Sequence, residues 1–189
     1  MPPQSFVKCK VGFGAQHKKQ SGFSKRQRIC ARNHLHNARS ALLTGWRERY
    51  GTNDFRYHFL ALRGDSRSGK STFAKALFAN PFVQTVQSSP APNLKAFDWT
   101  FHRMIVFDNV NNLDFVLNWR ALMQANNDMH ILGDSSTGMY AYHVWLWKVP
   151  IVLTVDTQAV WDSENSWVKE NCFEVVFDEP CYTSEGSFL

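Results

Sequence analysis

The order of apolar runs along the chain predicts an α/β fold, a three-layer sandwich around a central parallel sheet. Three observations predict it. Five short apolar runs alternate with helix-like segments. Most of these runs are apolar throughout instead of alternating in polarity, as strands covered on both faces are. Among the carboxylates that end these runs are Asp108 and Asp156, where a parallel sheet presents its ligands beyond the carboxyl ends of its strands.

The first strand is "YHFLALRG" (57–64), an apolar run that leads directly into a glycine-containing loop. "KSTFAKALFAN" (70–80) follows with helix formers and stops at Asn80-Pro81. "FVQTVQ" (82–87) is rich in β-formers, and "SSPAPN" after it is a turn. "RMIVFDN" (103–109) is the third strand. In "LDFVLNWRALMQANND" (113–128), Phe115, Trp119 and Leu122 fall at i, i+4 and i+7, with Val116 and Met123 one heptad apart, so one helix is expected. "MHILGDSSTGMYAYHVWLW" (129–147) predicts a β-hairpin around Gly133–Gly138. "VPIVLTVD" (149–156) and "CFEVVFD" (172–178) are the last two strands. The 149–156 strand is expected between the two that precede the glycine loop and Asp108.

Ahead of this pattern stands a basic arm, residues 1–50. It carries eleven Lys and Arg against one acid, Glu48, whereas the rest of the chain carries ten against fifteen acids. The net charge of +5 is therefore that of a basic arm on a mildly acidic domain, 51–189. Residues 1–24 lack periodicity, and 24–50 are expected to be helical with Ile29, Ala38, Leu42 and Trp46 as a sparse apolar stripe. Basic arms are attracted to polyanions, chiefly nucleic acid; a solvated leader is the other reading.

Composition narrows the class further. Seven Trp and fifteen Phe belong to a chain with a packed core. No apolar run approaches the ~18 residues of a membrane span, and "MPPQSFVKCK" has no apolar leader. Cys9, Cys30, Cys172 and Cys181 form no C-x-x-C pair or disulfide framework. A reduced, intracellular location without membrane contact is expected, with the nucleus open if the source is eukaryotic or viral.

"GDSRSGKS" (64–71) reads G-x-x-x-x-G-K-S. In this pattern, backbone N–H groups from Asp65 through Ser66, Arg67, Ser68 and Gly69 to Lys70 wrap a phosphate. Gly64 and Gly69 allow backbone angles and close approach that a side chain would block. Lys70 reaches the β- and γ-phosphates and Ser71 holds Mg2+, with Thr72 next in the helix. The strand before and the helix after supply the context this motif requires, so ATP and Mg2+ are the expected ligands and a P-loop nucleotide-binding fold the expected class. Asp108 lies 38 residues after Lys70 at the end of "MIVFD", where a Walker B carboxylate would stand beside the loop and join Ser71 at the metal. Asp156 occupies the equivalent edge position of its strand, suited to sensing the γ-phosphate or orienting water.

This succession resembles the superfamily 3 helicases, and most closely the ATPase domain of the replication initiator proteins of circular single-stranded DNA viruses. "NLKAFDWTFHRMIVFDNV" resembles their aromatic-rich approach to Walker B, and "MHILGDSSTGMYAYHVWLWKVPIVLTVD" their hairpin and sensor strand. The resemblance spans residues 57–178. It implies an AAA+-like domain with Mg2+-dependent ATP hydrolysis. It also implies action on single-stranded nucleic acid, DNA more than RNA, and a homo-oligomer, commonly a hexameric ring.

The departures are specific. The second Walker B acid falls at Asn109, and an amide is no general base. The sensor position, commonly Asn in the family, is Asp156, which leaves Asp108, Asn109 and Asp156 as the catalytic candidates. The hairpin offers His143, with Lys148 just beyond, in place of a strand-gripping cation. Only Lys169 is basic where the family places an arginine finger. A second reading follows, a module that binds nucleotide and nucleic acid with little or no turnover. A small-molecule kinase is disfavoured, because residues 104–189 contain Arg120 alone and so no arginine lid. The pair His34 and His36 in "NHLHN" matches the metal motif of the family's nickase domain, but a fifty-residue arm is too short to form that domain. Structural zinc is not expected either, since the arm's Cys and His lack finger spacing.

Overall fold

The computed structural model describes residues 26–29 as backbone, and 43–86, 91–133, 141–178 and 180 in full. Its centre is a sheet of six strands in which every pairing is parallel: β1 (Arg26–Ile29), β2 (Phe59–Gly64), β3 (Pro81–Thr85), β4 (Met104–Asn112), β7 (Ile151–Val160) and β8 (Cys172–Phe177), in the order β1-β8-β2-β7-β4-β3. The fold is thus α/β with a parallel sheet. β7 lies between β2 and β4, as its run of apolar residues ending in Asp156 suggests. A separate antiparallel pair joins β5 (Met129–Leu132) and β6 (Tyr142–Trp145). It matches the expected hairpin, although the turn at 134–140 lies outside the described residues.

Burial explains why these runs became central strands. Phe59, Leu60, Ala61 and Leu62 of β2 are all fully buried, as are Met104 to Phe107 of β4 and Ile151 to Leu153 of β7. Successive residues point to opposite faces, so an unbroken buried run means that both faces are covered. Helices α2 (Lys70–Ala76), α3 (Leu113–Asn118), α4 (Arg120–Met123) and α5 (Ser166–Asn171) follow β2, β4, α3 and β7 in the chain.

The amino-terminal region departs from expectation. The helix expected from Ser24 is replaced over Arg26–Ile29 by β1, which pairs with β8 from Glu174 to Phe177. Pairing along a free sheet edge outweighs the modest helix propensity of four residues. A helix is present at 43–49, here α1. It buries Leu43, Trp46 and Tyr50 in the core, with Trp46 only 1% exposed. Trp46 Nε1 and the Tyr50 hydroxyl both donate to the carbonyl of His58, at 2.7 and 2.9 Å. Tyr50 stacks on Tyr57 at 4.9 Å, and burial pushes its hydroxyl far above the ordinary tyrosine range. The packed fold therefore starts ahead of residue 51, and the basic arm is not wholly separate from it. Ala38, Leu42, His34, His36 and three of the four cysteines lie outside the described residues; Cys172 is buried in the core.

Several element lengths also differ. The helix of 70–80 ends at Ala76, and Asn80 adopts a left-handed φ of 49° before Pro81, whose ring disfavours helix at the preceding residue. The expected helix 113–128 divides into α3 and α4 at Trp119 (φ −115°, ψ 33°), and both halves bury the predicted stripe of Phe115, Val116, Leu122 and Met123. β4 and β7 run past Asp108 and Asp156 to Asn112 and Val160. Among the described residues no helix is long and apolar enough to cross a membrane.

Candidate functional site

β2 delivers Gly64 to the carboxyl edge of the sheet, where it faces Asp156 of β7 on one side and Phe177 of β8 on the other. A methyl group on Gly64 would lie 2.8 Å from Phe177 Cβ and 2.9 Å from its carbonyl oxygen. The first glycine of the loop is therefore required by the closeness of β8. Gly69 is required by conformation, with φ 89°. Arg67 is left-handed as well (φ 63°), so Arg67 and Gly69 bracket Ser68. Alternation of this kind turns successive N–H groups toward one concavity. A cavity of about 280 Å³ lies there, lined by the six consecutive residues from Arg67 to Thr72. Of the other predicted loop residues, Gly64 is buried behind it, Ser66 is exposed, and Asp65 accepts a hydrogen bond from the Thr157 hydroxyl.

Lys70 is the buried cation of the site, only 8% exposed. Its Nζ donates to the carbonyls of Gly64 (2.8 Å) and Asp65 (2.6 Å) and reaches Ser68 Oγ at 3.4 Å. The loop thus closes on its own lysine. One residue on, Ser71 Oγ donates to Asp108 Oδ1 at 2.6 Å. This bond joins the start of α2 to β4, across the strand that separates β2 from β4. Two hard oxygen donors at that distance suit Mg2+, which takes one or two protein ligands and completes its octahedron with water and phosphate. Among the described residues no cluster of three or more His, Cys, Asp or Glu forms an all-protein metal cage.

Thr154 is the residue that the sequence reading missed. It sits in β7 at 2% exposure, donates its hydroxyl to Asp108 Oδ1 at 2.6 Å and accepts the Asn109 N–H at 2.8 Å. The register explains the double contact. Phe107 pairs with Leu153 and Val110 with Val155, so Asp108 and Asn109 together oppose the single residue Thr154. This is a β-bulge, and Asn109 adopts its left-handed conformation (φ 64°), which asparagine tolerates better than most residues. The available signal was a lone hydroxyl within the apolar run "IVLTV", because a buried polar group needs a partner.

Asp156 stands at the same edge but apart from this cluster. It accepts at 3.4 Å from the Thr157 hydroxyl and at 3.4 Å from the Gln158 N–H. Among the described residues no hydrogen bond joins it to Ser71 or Asp108. The Thr157 hydroxyl lies between the carboxylates of Asp65 and Asp156, closer to Asp65. Elsewhere, Lys169 pairs with Glu164, and the Arg120 guanidinium lies 5.8 Å from the Trp167 ring. His143 on β6 opposes Ile131, and Lys148 donates to Asn53 Oδ1 at 2.6 Å.

A scan against protein-family models gives no match for the chain, and no curated protein matches it.

Proposed function

We propose that the chain is an ATPase of the superfamily 3 helicase type that binds ATP with Mg2+ and acts on single-stranded nucleic acid. The observation that carries this reading is the 2.6 Å bond between Ser71 and Asp108, which sets a hydroxyl and a carboxylate side by side next to a loop closed by Lys70. The strand order, with β7 between β2 and β4, agrees with the same reading.

In this reading the loop N–H groups from Arg67 to Ser71 hold phosphate oxygens. The Lys70 ammonium, now on two neutral carbonyls, transfers its hydrogen bonds to charged oxygens, which accept them more strongly. Ser71 and Asp108 hold Mg2+, which neutralises charge on the β- and γ-phosphates when bound. Thr154 orients Asp108 for that task. Asp156, next to Gly64, takes a proton from water as the general base. A homo-oligomeric ring and a DNA strand as partner complete the reading.

A module that binds nucleotide without turnover is the second reading, favoured by Asn109. It stands where a second acid would activate water, and its N–H is committed to Thr154. The test is Mg2+-dependent ATP hydrolysis with and without single-stranded DNA. Stimulated turnover supports the ATPase. ATP binding without turnover supports the module, and no ATP binding removes both.

A further inference from the structure

The edge of the sheet opposite the phosphate loop carries a larger concavity, about 670 Å³. Its walls come from the end of α1, the residues that close α2, and the segments that enter β4 and β7. The backbone holds these pieces together: Arg103 N–H donates to the Asn80 carbonyl at 3.2 Å, and Ile105 N–H to the Pro150 carbonyl at 2.9 Å. The six residues of β2, at roughly 3.3 Å each, put this edge about 20 Å from the loop.

Among the described residues, every charged residue lining the concavity is a cation: Arg47, Arg103 and Lys148. Among the described residues none of them meets a carboxylate. The Arg47 guanidinium lies 4.7 Å over the Phe78 ring, and Lys148 Nζ lies 4.7 Å over the Trp147 ring while donating to the Asn53 amide oxygen. Among the described residues the Arg103 guanidinium has no hydrogen-bond or ion-pair partner. Glu48 lines an adjoining concavity with Arg47. Three like charges on one concave wall repel one another and raise the local concentration of anions. Lys148 also holds a left-handed φ of 61°, a conformation that a lysine keeps only where its surroundings impose it.

Aromatic side chains continue from these cations toward the hairpin. Trp147, beneath Lys148, lies 5.9 Å from Trp145 of β6, which is 39% exposed. A groove of guanidinium and ammonium groups beside indole rings has the composition that binds unpaired strands, with phosphates on the cations and bases on the rings. We infer that this concavity, with Trp145 and Trp147 at its border, is a docking surface for single-stranded nucleic acid, on the opposite edge of the sheet from the nucleotide loop. The inference rests on the proposed class of partner but needs no ATP hydrolysis.

The experiment measures anisotropy of a labelled oligothymidylate with the full chain, without nucleotide, over a salt series. The parent is compared with the triple variant Arg47→Gln/Arg103→Gln/Lys148→Gln. Single strands contribute a log–log salt slope of about 0.7 per phosphate contacted, so the triple variant should lose about 2 from the slope. Trp145→Ala should weaken binding at fixed salt by roughly fivefold to a hundredfold. A thermal midpoint equal to the parent's shows that the triple variant folds. If it does not fold, Arg103→Gln alone carries the test, with an expected slope change of about 0.7. An unchanged slope overturns the proposal. So does an unchanged slope with lost affinity for polyglutamate, which would make the surface one for acidic polypeptides. MgATP binding measured separately on the parent reports on the ATPase reading, whichever way the slope falls.

Discussion

The Thr154 hydroxyl lies 2.6 Å from Asp108 Oδ1 and 2.8 Å from the Asn109 nitrogen, so one side chain of β7 holds both residues of a bulge in β4. The Asp108 carboxylate, proposed as the metal ligand, thus owes its position to a neighbouring strand. Thr154→Val keeps the shape and removes the hydroxyl, leaving a partly buried N–H and one carboxylate bond unsatisfied. The expected loss is about 1–3 kcal/mol of stability, seen as a lower thermal midpoint, together with weaker Mg2+-dependent nucleotide binding. Thr154→Ser should restore most of both. A valine variant with the parent's Mg2+ dependence would show that Asp108 needs no such support.

Lys70→Ala removes the ammonium that the loop holds on the Gly64 and Asp65 carbonyls. Hydrogen bonds to charged groups contribute about 1.5–3 kcal/mol each, so MgATP affinity should fall at least tenfold. Titration calorimetry measures it directly. Unchanged affinity would remove the whole phosphate-loop argument.

Gly64→Ala and Gly69→Ala should fail for different reasons. The first forces a methyl to 2.8 Å from Phe177 Cβ, an overpacking that costs about 1–3 kcal/mol. The second places a Cβ on a residue at φ 89°, a penalty of about 1–2 kcal/mol. Asparagine tolerates a left-handed φ, so Gly69→Asn should recover part of the second loss, whereas Gly64→Asn still carries the Cβ that meets Phe177 and should recover none of the first. Chemical denaturation of the four variants distinguishes them.

Asp156→Asn should abolish turnover while ATP binding persists, since general-base contributions run to about 10²–10⁴ in rate. Asn109→Asp should raise turnover or leave it unchanged. Single-turnover hydrolysis decides. Parent-like rates in Asp156→Asn would move the base to another loop or another subunit, in keeping with the absence of any hydrogen bond between Asp156 and the Ser71–Asp108 pair.

Removing the arm up to Arg26 takes away five lysines, Lys8, Lys10, Lys18, Lys19 and Lys25, and leaves β1 and the core residues of α1 in place. If each neutralises a phosphate, the salt slope for single strands should fall by roughly 3 to 4. A slope equal to that of the full chain would show that the arm makes no such contact. Cutting at Tyr50 is not an equivalent experiment, because Leu43, Trp46 and Tyr50 belong to the core.

By itself the sequence determined the parallel sheet, its central strands and the loop that closes on Lys70. Those features are local. A run such as "MIVF" is apolar at every position because both faces are covered, and G-x-x-x-x-G-K-S states its own backbone requirements. The stripe of α3 and α4 was legible for the same reason, while their break at Trp119 was not. Only the tertiary structure decided that Arg26–Ile29 joins the sheet beside β8, since a free edge is a property of the assembled sheet and not of four residues. It also decided that Gly64 answers to Phe177, more than a hundred positions away. Above all, it brought Thr154 against Asp108 and Asn109. A bulge sets one residue against two on a neighbouring strand, and that register exists only once both strands are paired.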